Sequence, residues 1–476
     1  MPSREPRPAS LRLAATLALL VGLLGRTAAA QVLESPSPVP SPVAAPLAPA
    51  GVIPANLSLA VSGTPVADAA FLDAQIRAAI DRAIRPTLRP GSAIRYGPIV
   101  PWPLLPLPSG TRAAVLVGIT LAGGVGFADV SGTTTVTLNG TVVPPPDPAV
   151  LFLSDDPEYL TAEGLVFRGA VTPARAARLY YYHSDVGMPR DVDVVVSAQA
   201  PAQVALTEAN AGPDLDVMSV GHTVTRDFLR YEQNDESVVV DIVPGTPLVV
   251  HHALLLQGEV TAGALDVQVL RGSGVTVSVI ASAAGGRPEM YLAGPRVPYD
   301  GHHRHGTFDL AGYGRISQTY TVGGPAAAVQ YGGRAPTPRN IDPSDDGRDY
   351  GDYGVVHRIT LALTNPADTP QIVYLYEKPL GGPLRSSFIV DGLLKEMGCV
   401  RQPQPYWVAT YQLPPHANGA STTVTMTDGG SFYPMEFGVS DAQPSPYTPP
   451  VGAADGCSPS TPAFPDPQAA GATVRH

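Results

Sequence analysis

The chain has 476 residues, a formal net charge of −11 and only 15% charged residues. Scattered arginines on an acidic chain exclude a phosphate-neutralising surface for nucleic acid, which needs a basic patch. Glycine (48) and proline (53) are abundant while 44% of residues are hydrophobic, a balance that excludes wholesale disorder and predicts a mainly β chain rich in turns.

Residues 1–30 read as a signal peptide. Arg4, Arg7 and Arg12 precede the apolar run 13–24, and Ala28, Ala29 and Ala30 offer the small residues that a signal peptidase reads. The run is shorter than the ~20 residues of a membrane span, so cleavage and export are expected, to the periplasm or the cell surface. Residues 31–54 form a Pro/Ser/Ala-rich linker, extended because proline at this density prevents a packed core.

Residues 55–148 are expected to form a small α+β module in the order β-α-β-β. Leu57, Leu59 and Val61 alternate along a strand. Thr64-Pro65 then supplies a cap and first turn for a helix over 66–85, whose Leu72, Ile76, Ile80 and Ile84 make one apolar stripe. A proline-rich excursion containing Trp102 follows, then strands near 113–121 and 133–143. Residues 149–340 read as a β-sandwich module with a loop-rich end, built from runs such as RLYYYH, DVDVVVSA and GVTVSVIASA. Residues 341–440 read as a second sandwich, in which two alternating strands flank the turn NPADTP (365–370) and LPP precedes STTVT. This last pattern resembles, loosely, the immunoglobulin-like sandwiches of exported bacterial proteins; the resemblance implies a fold and assigns no functional residue. Residues 441–476 are expected to be a Pro-rich flexible tail.

Cys399 and Cys457 are the two cysteines. In an exported chain they predict a disulfide that closes a loop of about 57 residues, worth on the order of 4 kcal/mol in the chain-entropy treatment.

Two stretches carry metal-ligand chemistry. In GHHRHGTFDL (301–310), an extended backbone would put His303 and His305 on one face, two imidazoles at a spacing that reaches one zinc or copper ion. A third ligand is sought among Asp309, His251, His252 and His357. The His-x-His spacing followed by a carboxylate is similar to the first motif of cupins, but Asp309 replaces glutamate and the second motif is missing. The bracketing Gly301 and Gly306 favour a solvent-exposed turn with histidines on its surface. In IDPSDDGRDYGDYG (341–354), Asp342, Ser344, Asp346 and Gly347 fall at positions of a calcium loop, whose closing bidentate glutamate is absent. No cofactor is required by the sequence; calcium or zinc is the ion that it admits. Asp155, Asp156 and Glu158 look like a helix cap rather than a catalytic carboxylate pair, and RLYYYH is expected to keep one tyrosine exposed. No catalytic residue is assigned.

Three functions fit. A non-catalytic exported binding or scaffolding protein, recognising an envelope or extracellular protein or glycan, comes first. A metal-dependent extracellular enzyme centred on His302–His305 is the alternative. A self-assembling envelope or matrix subunit, a homo-oligomer, is the third. Neither a nucleic-acid partner nor a membrane span after signal cleavage is expected.

Overall fold

A computed structural model describes residues 46–444 and Cys457. The expected signal peptide, almost all of the expected linker and nearly all of the expected tail lie outside the described residues. Strand takes 52% of the described residues and helix 10%, the mainly β class that the composition predicts.

A twelve-stranded sheet organises the fold. Its path runs through Arg339–Asn340, His305–Asp309, Val150–Ser154, Ala177–Asp185, Val260–Arg271, Ala202–Asp214, Ser237–Ile242, Asn56–Ser62, Val130–Gly140, Arg112–Ala122 and Ala93–Val100. The short strand Tyr159–Leu160 pairs beside this path. A four-stranded sheet of Gly164–Val171, Val275–Ala283, Arg190–Ala198 and Leu248–Leu255 packs on its centre, around Phe152, Leu179, Tyr181, Val194, Leu265 and Val279. The C-terminal sandwich sets five strands (Arg315–Thr321, Val356–Thr364, Asn418–Met426, Leu384–Val390, Leu393–Val400) against four (Ala327–Tyr331, Met435–Ser440, Gln371–Pro379, Tyr406–Leu413). Val356–Thr364 alternates buried and exposed residues, as a strand with one solvated face must.

Two helices complete the layers. In α1 (Ala69–Ile84), Phe71, Leu72, Ile76, Ile80 and Ile84 are buried, which is the expected stripe. The cap is Asp68 rather than Thr64: its carboxylate accepts from the Phe71 N–H at 2.8 Å. The second helix, α2 (Val217–Gln233), was not expected, because its valines, threonines and Gly221 have weak helical propensity. Burial of Val217, Val220, Val224 and Phe228 along one face overrides that preference.

The structure differs from the expected layout at four places, the first being that Arg315–Thr321 and Ala327–Tyr331, inside the expected 149–340 module, belong to the C-terminal sandwich. The segment of the proline-rich excursion includes a further strand, Ala93–Val100. Residues 55–148 share a sheet with the segment 149–340, since Val61 pairs with Val238 across the Asn56–Ser62 and Ser237–Ile242 strands; an otherwise open strand edge finds a partner. Tyr180, Tyr181 and Tyr182 are all buried. The sheet is covered on both sides there, Tyr181 facing the four-stranded sheet and Tyr180 and Tyr182 the opposite core. The disulfide Cys399–Cys457 is present, with Cα atoms 5.1 Å apart, and ties residue 457 to the strand Leu393–Val400.

Candidate functional site

The histidine stretch divides at residue 304. Asp300 accepts from the N–H groups of His302 and His303 at 2.7 and 3.1 Å, curling 300–303 into a turn. The strand His305–Asp309 begins only then, because His305 pairs with Ser154. His303 and His305 therefore do not share a face. His303 lies between Asp300 (2.6 Å) and Glu158 (3.1 Å). Burial opposes its charging, but these carboxylates outweigh it and raise its pKa to about 9. Asp309 is held by Arg175 at 2.7 Å and Arg339 at 2.8 Å, so the structure sets it apart from His305.

His305 is 1% exposed, against the expectation of a surface cluster; His302 alone of the three is exposed. The burial comes from the segment 341–348, which folds back over the strand. It starts beside the pairing of Phe308 with Asn340 and returns where the Arg348 N–H donates to the His305 carbonyl at 2.9 Å. Glycine makes this approach feasible: a Cβ on Gly347 would sit 2.7 Å from that carbonyl oxygen. The fold-back brings Asp345 and Asp346 to His305 Nε2, at 2.9 and 3.4 Å. Asp156 Oδ2 lies 3.1 Å from Nδ1 on the other side of the ring. Tyr299 stacks on the imidazole, 3.7 Å between centroids.

The remaining sequence candidates go elsewhere. Asp342 accepts from the Ser344 N–H and Oγ at 2.9 and 2.6 Å, within its own turn. Asp342 and Ser344 thus close on each other while Asp346 turns to His305, and the spacing of a calcium loop is not realised as a shared cage. His252 sits 2.8 Å from Asp193. His357 is buried against Tyr331. Asp155 and Asp156 are buried and cap no helix; Asp155 pairs with Arg304, yet burial still pushes its pKa up to about 7.

A second site gave no motif. Between α1 and the strand Leu248–Leu255 lies a cleft of about 310 Å³, lined by Arg82, Arg85, Glu208, Asn210, His251 and His252 among others. Most charges around it are already matched. Arg77 pairs with Asp73 at 3.0 Å, Asp227 with Arg226 at 2.8 Å and Asp193 with His252 at 2.8 Å. The Asp81 carboxylate accepts from Tyr96 Oη at 2.6 Å, and Glu208 from the Asn210 amide. Arg82 and Arg85 differ. Both are half-buried, and among the described residues neither guanidinium has a hydrogen bond or an ion pair, although the carboxylates of Glu208 and Asp81 act on Arg82 and those of Asp193, Asp81 and Asp191 on Arg85 from further off. Burial lowers the pKa of each. Arg82 and Arg85 lie three apart at the end of α1, which the apolar stripe predicts; the cleft needs strands more than a hundred residues away and could not be read from the sequence.

No family model and no curated protein matches the chain. Among solved structures it is similar to Lac15 from a marine microbial metagenome, at 8% identity and a TM-score of 0.13, covering 69% of this chain and 72% of that one. Against tripeptidyl peptidase 2 the values are 10% and 0.16, with 74% of this chain but 30% of that chain covered. Against the PBSX exported protein XepA they are 9% and 0.15, with 59% and 87% covered. Likenesses at these TM-scores carry no argument about function.

Proposed function

We propose that this chain is an exported, non-catalytic binding protein of the cell surface or periplasm, and that the cleft beside α1 takes a small oxyanion-bearing ligand, a carboxylate or phosphate. Two half-buried guanidiniums, Arg82 and Arg85, that make neither a hydrogen bond nor an ion pair among the described residues carry the reading. A half-buried guanidinium has lost part of its hydration, and an arginine fork recovers that loss best from a planar carboxylate or a phosphate, with two parallel hydrogen bonds. A cleft of about 310 Å³ is at the small end of the range for small-molecule sites. Export is supported by the leader-like segment 1–30 and by the Cys399–Cys457 disulfide, since disulfides persist in oxidising compartments.

Thermal unfolding of the chain lacking residues 1–30, with inorganic phosphate and with citrate as probes, tests the reading. At least one anion is expected to raise Tm with concentration, as selective binding to the native state requires. Arg82→Gln/Arg85→Gln is expected to lose the rise while keeping a cooperative transition. No rise with either probe, or an undiminished rise in the double variant, overturns the proposal.

A further inference from the structure

We propose that His305 Nε2, Asp345 Oδ1 and Asp346 Oδ1 bind a divalent transition-metal cation of the zinc class. One ligand atom from each of the three residues lies within 4.8 Å of the others. Nε2 is 2.9 Å from the first oxygen and 3.4 Å from the second. Ligand atoms around a tetrahedral ion at bond lengths of ~2.0–2.1 Å stand about 3.3 Å apart, which these separations bracket.

The hydrogen-bonding pattern is the independent observation. His305 and Asp345 are both buried at the site, with side chains 2% and 8% exposed. Their facing atoms are close enough for a hydrogen bond, yet Nε2 and Oδ1 each lack a partner at hydrogen-bonding angles. Buried polar atoms left in that condition are uncommon and costly. A buried imidazole nitrogen and a buried carboxylate oxygen this close with no hydrogen bond between them are groups that a shared cation would satisfy.

The far atoms of all three side chains have neighbours of their own. Asp345 Oδ2 accepts from Tyr299 Oη at 3.1 Å, and Asp346 Oδ2 from Arg348 at 3.3 Å. Asp156 stands behind the imidazole, 3.1 Å from Nδ1, and is itself oriented by the Asp300 N–H at 2.6 Å. Nδ1 makes no hydrogen bond there, so Asp156 adds a negative charge beside the ring rather than a bond that orients it. One imidazole with two carboxylates suits zinc or manganese better than calcium, which takes six to eight oxygens. The side chain of Asp346 is 79% exposed, so the site opens to solvent on that side and leaves room for water on the ion. The ion would clamp the segment 341–348 onto the strand His305–Asp309, independently of any ligand in the cleft beside α1.

The test uses the leaderless chain purified without a histidine tag and stripped with EDTA. Titration with Zn²⁺ near neutral pH, followed by calorimetry, is expected to give one ion per chain and a rise in Tm. Ca²⁺ is expected to give neither. His305→Gln and Asp345→Asn are expected to weaken Zn²⁺ binding by about 100-fold or more. Asp346→Asn, at an exposed position that folding tolerates, is expected to weaken it by about tenfold, and Asp309→Asn to leave it unchanged. Absence of stoichiometric Zn²⁺ binding by the wild type overturns the site, as does unweakened binding by a folded Asp346→Asn chain. Binding that fails in Asp309→Asn but survives in Asp346→Asn would move the ion elsewhere and equally overturn it.

Discussion

His222 shows what one buried residue can hold. From α2 its Nδ1 lies 2.8 Å from Asp428 Oδ2, after the strand Asn418–Met426, and its Nε2 3.2 Å from Glu396 Oε1 on the strand Leu393–Val400. Burial opposes its charging, but the hydrogen bonds to Asp428 and Glu396 prevail and raise its pKa to about 9. A folded pKa above the ordinary ~6.5 means that the stabilisation is complete below that value and is lost as pH rises through about 9. His222→Gln is therefore expected to cost about 3 kcal/mol at neutral pH, the scale of a broken buried pair. It should also flatten the decline of Tm between neutrality and mildly alkaline pH. Circular-dichroism melts across that range check both outcomes; an equally steep decline in the variant would deny the residue this role. Nothing in the sequence around His222 marks it, whereas the three histidines at 302–305 announce themselves. Even there the partners were not legible: Asp345 and Asp346 reach His305 only because Phe308 pairs with Asn340, a tertiary event.

At the scale of elements, α1 was readable because its apolar spacing and its fold agree. α2 was not, because its local preference and its packing disagree. Gly221 explains the conflict. It weakens the helix, but an added Cβ would stand 1.9 Å from the Gly429 carbonyl oxygen, so only glycine lets α2 lie against the loop after Met426. Gly221→Ala raises helical propensity by roughly 1 kcal/mol in isolation, yet here it is expected to lower stability by about 1–3 kcal/mol through overpacking. Urea denaturation of the variant against wild type distinguishes the two signs. The strands of the C-terminal sandwich were legible for the opposite reason: Ile359, Leu361 and Leu363 are buried at alternate positions, with no local signal against them.

At the scale of the whole molecule, mainly β architecture was visible in composition and turn chemistry, but the linkage between segments was not. The run VPPPDP at 143–148 looks like a module boundary, since proline-rich stretches punctuate chains. Sheet pairing ignores it: residues 60–62 lie beside 237–239 as neighbouring strands, and α1 packs against Leu248–Leu255 as well as Asn56–Ser62. Chain continuity and sheet continuity are thus separate properties of this protein. The backbone could be severed within 143–148 and the two pieces would still be complementary, each holding the strand edge that the other lacks. Co-expressed as residues 31–146 and 147–476, they are expected to copurify as a stoichiometric pair with a single melting transition. Expressed alone, the smaller piece should aggregate or self-associate through its exposed edge. A smaller piece that is monomeric and folded by itself would show that the shared sheet is mere juxtaposition.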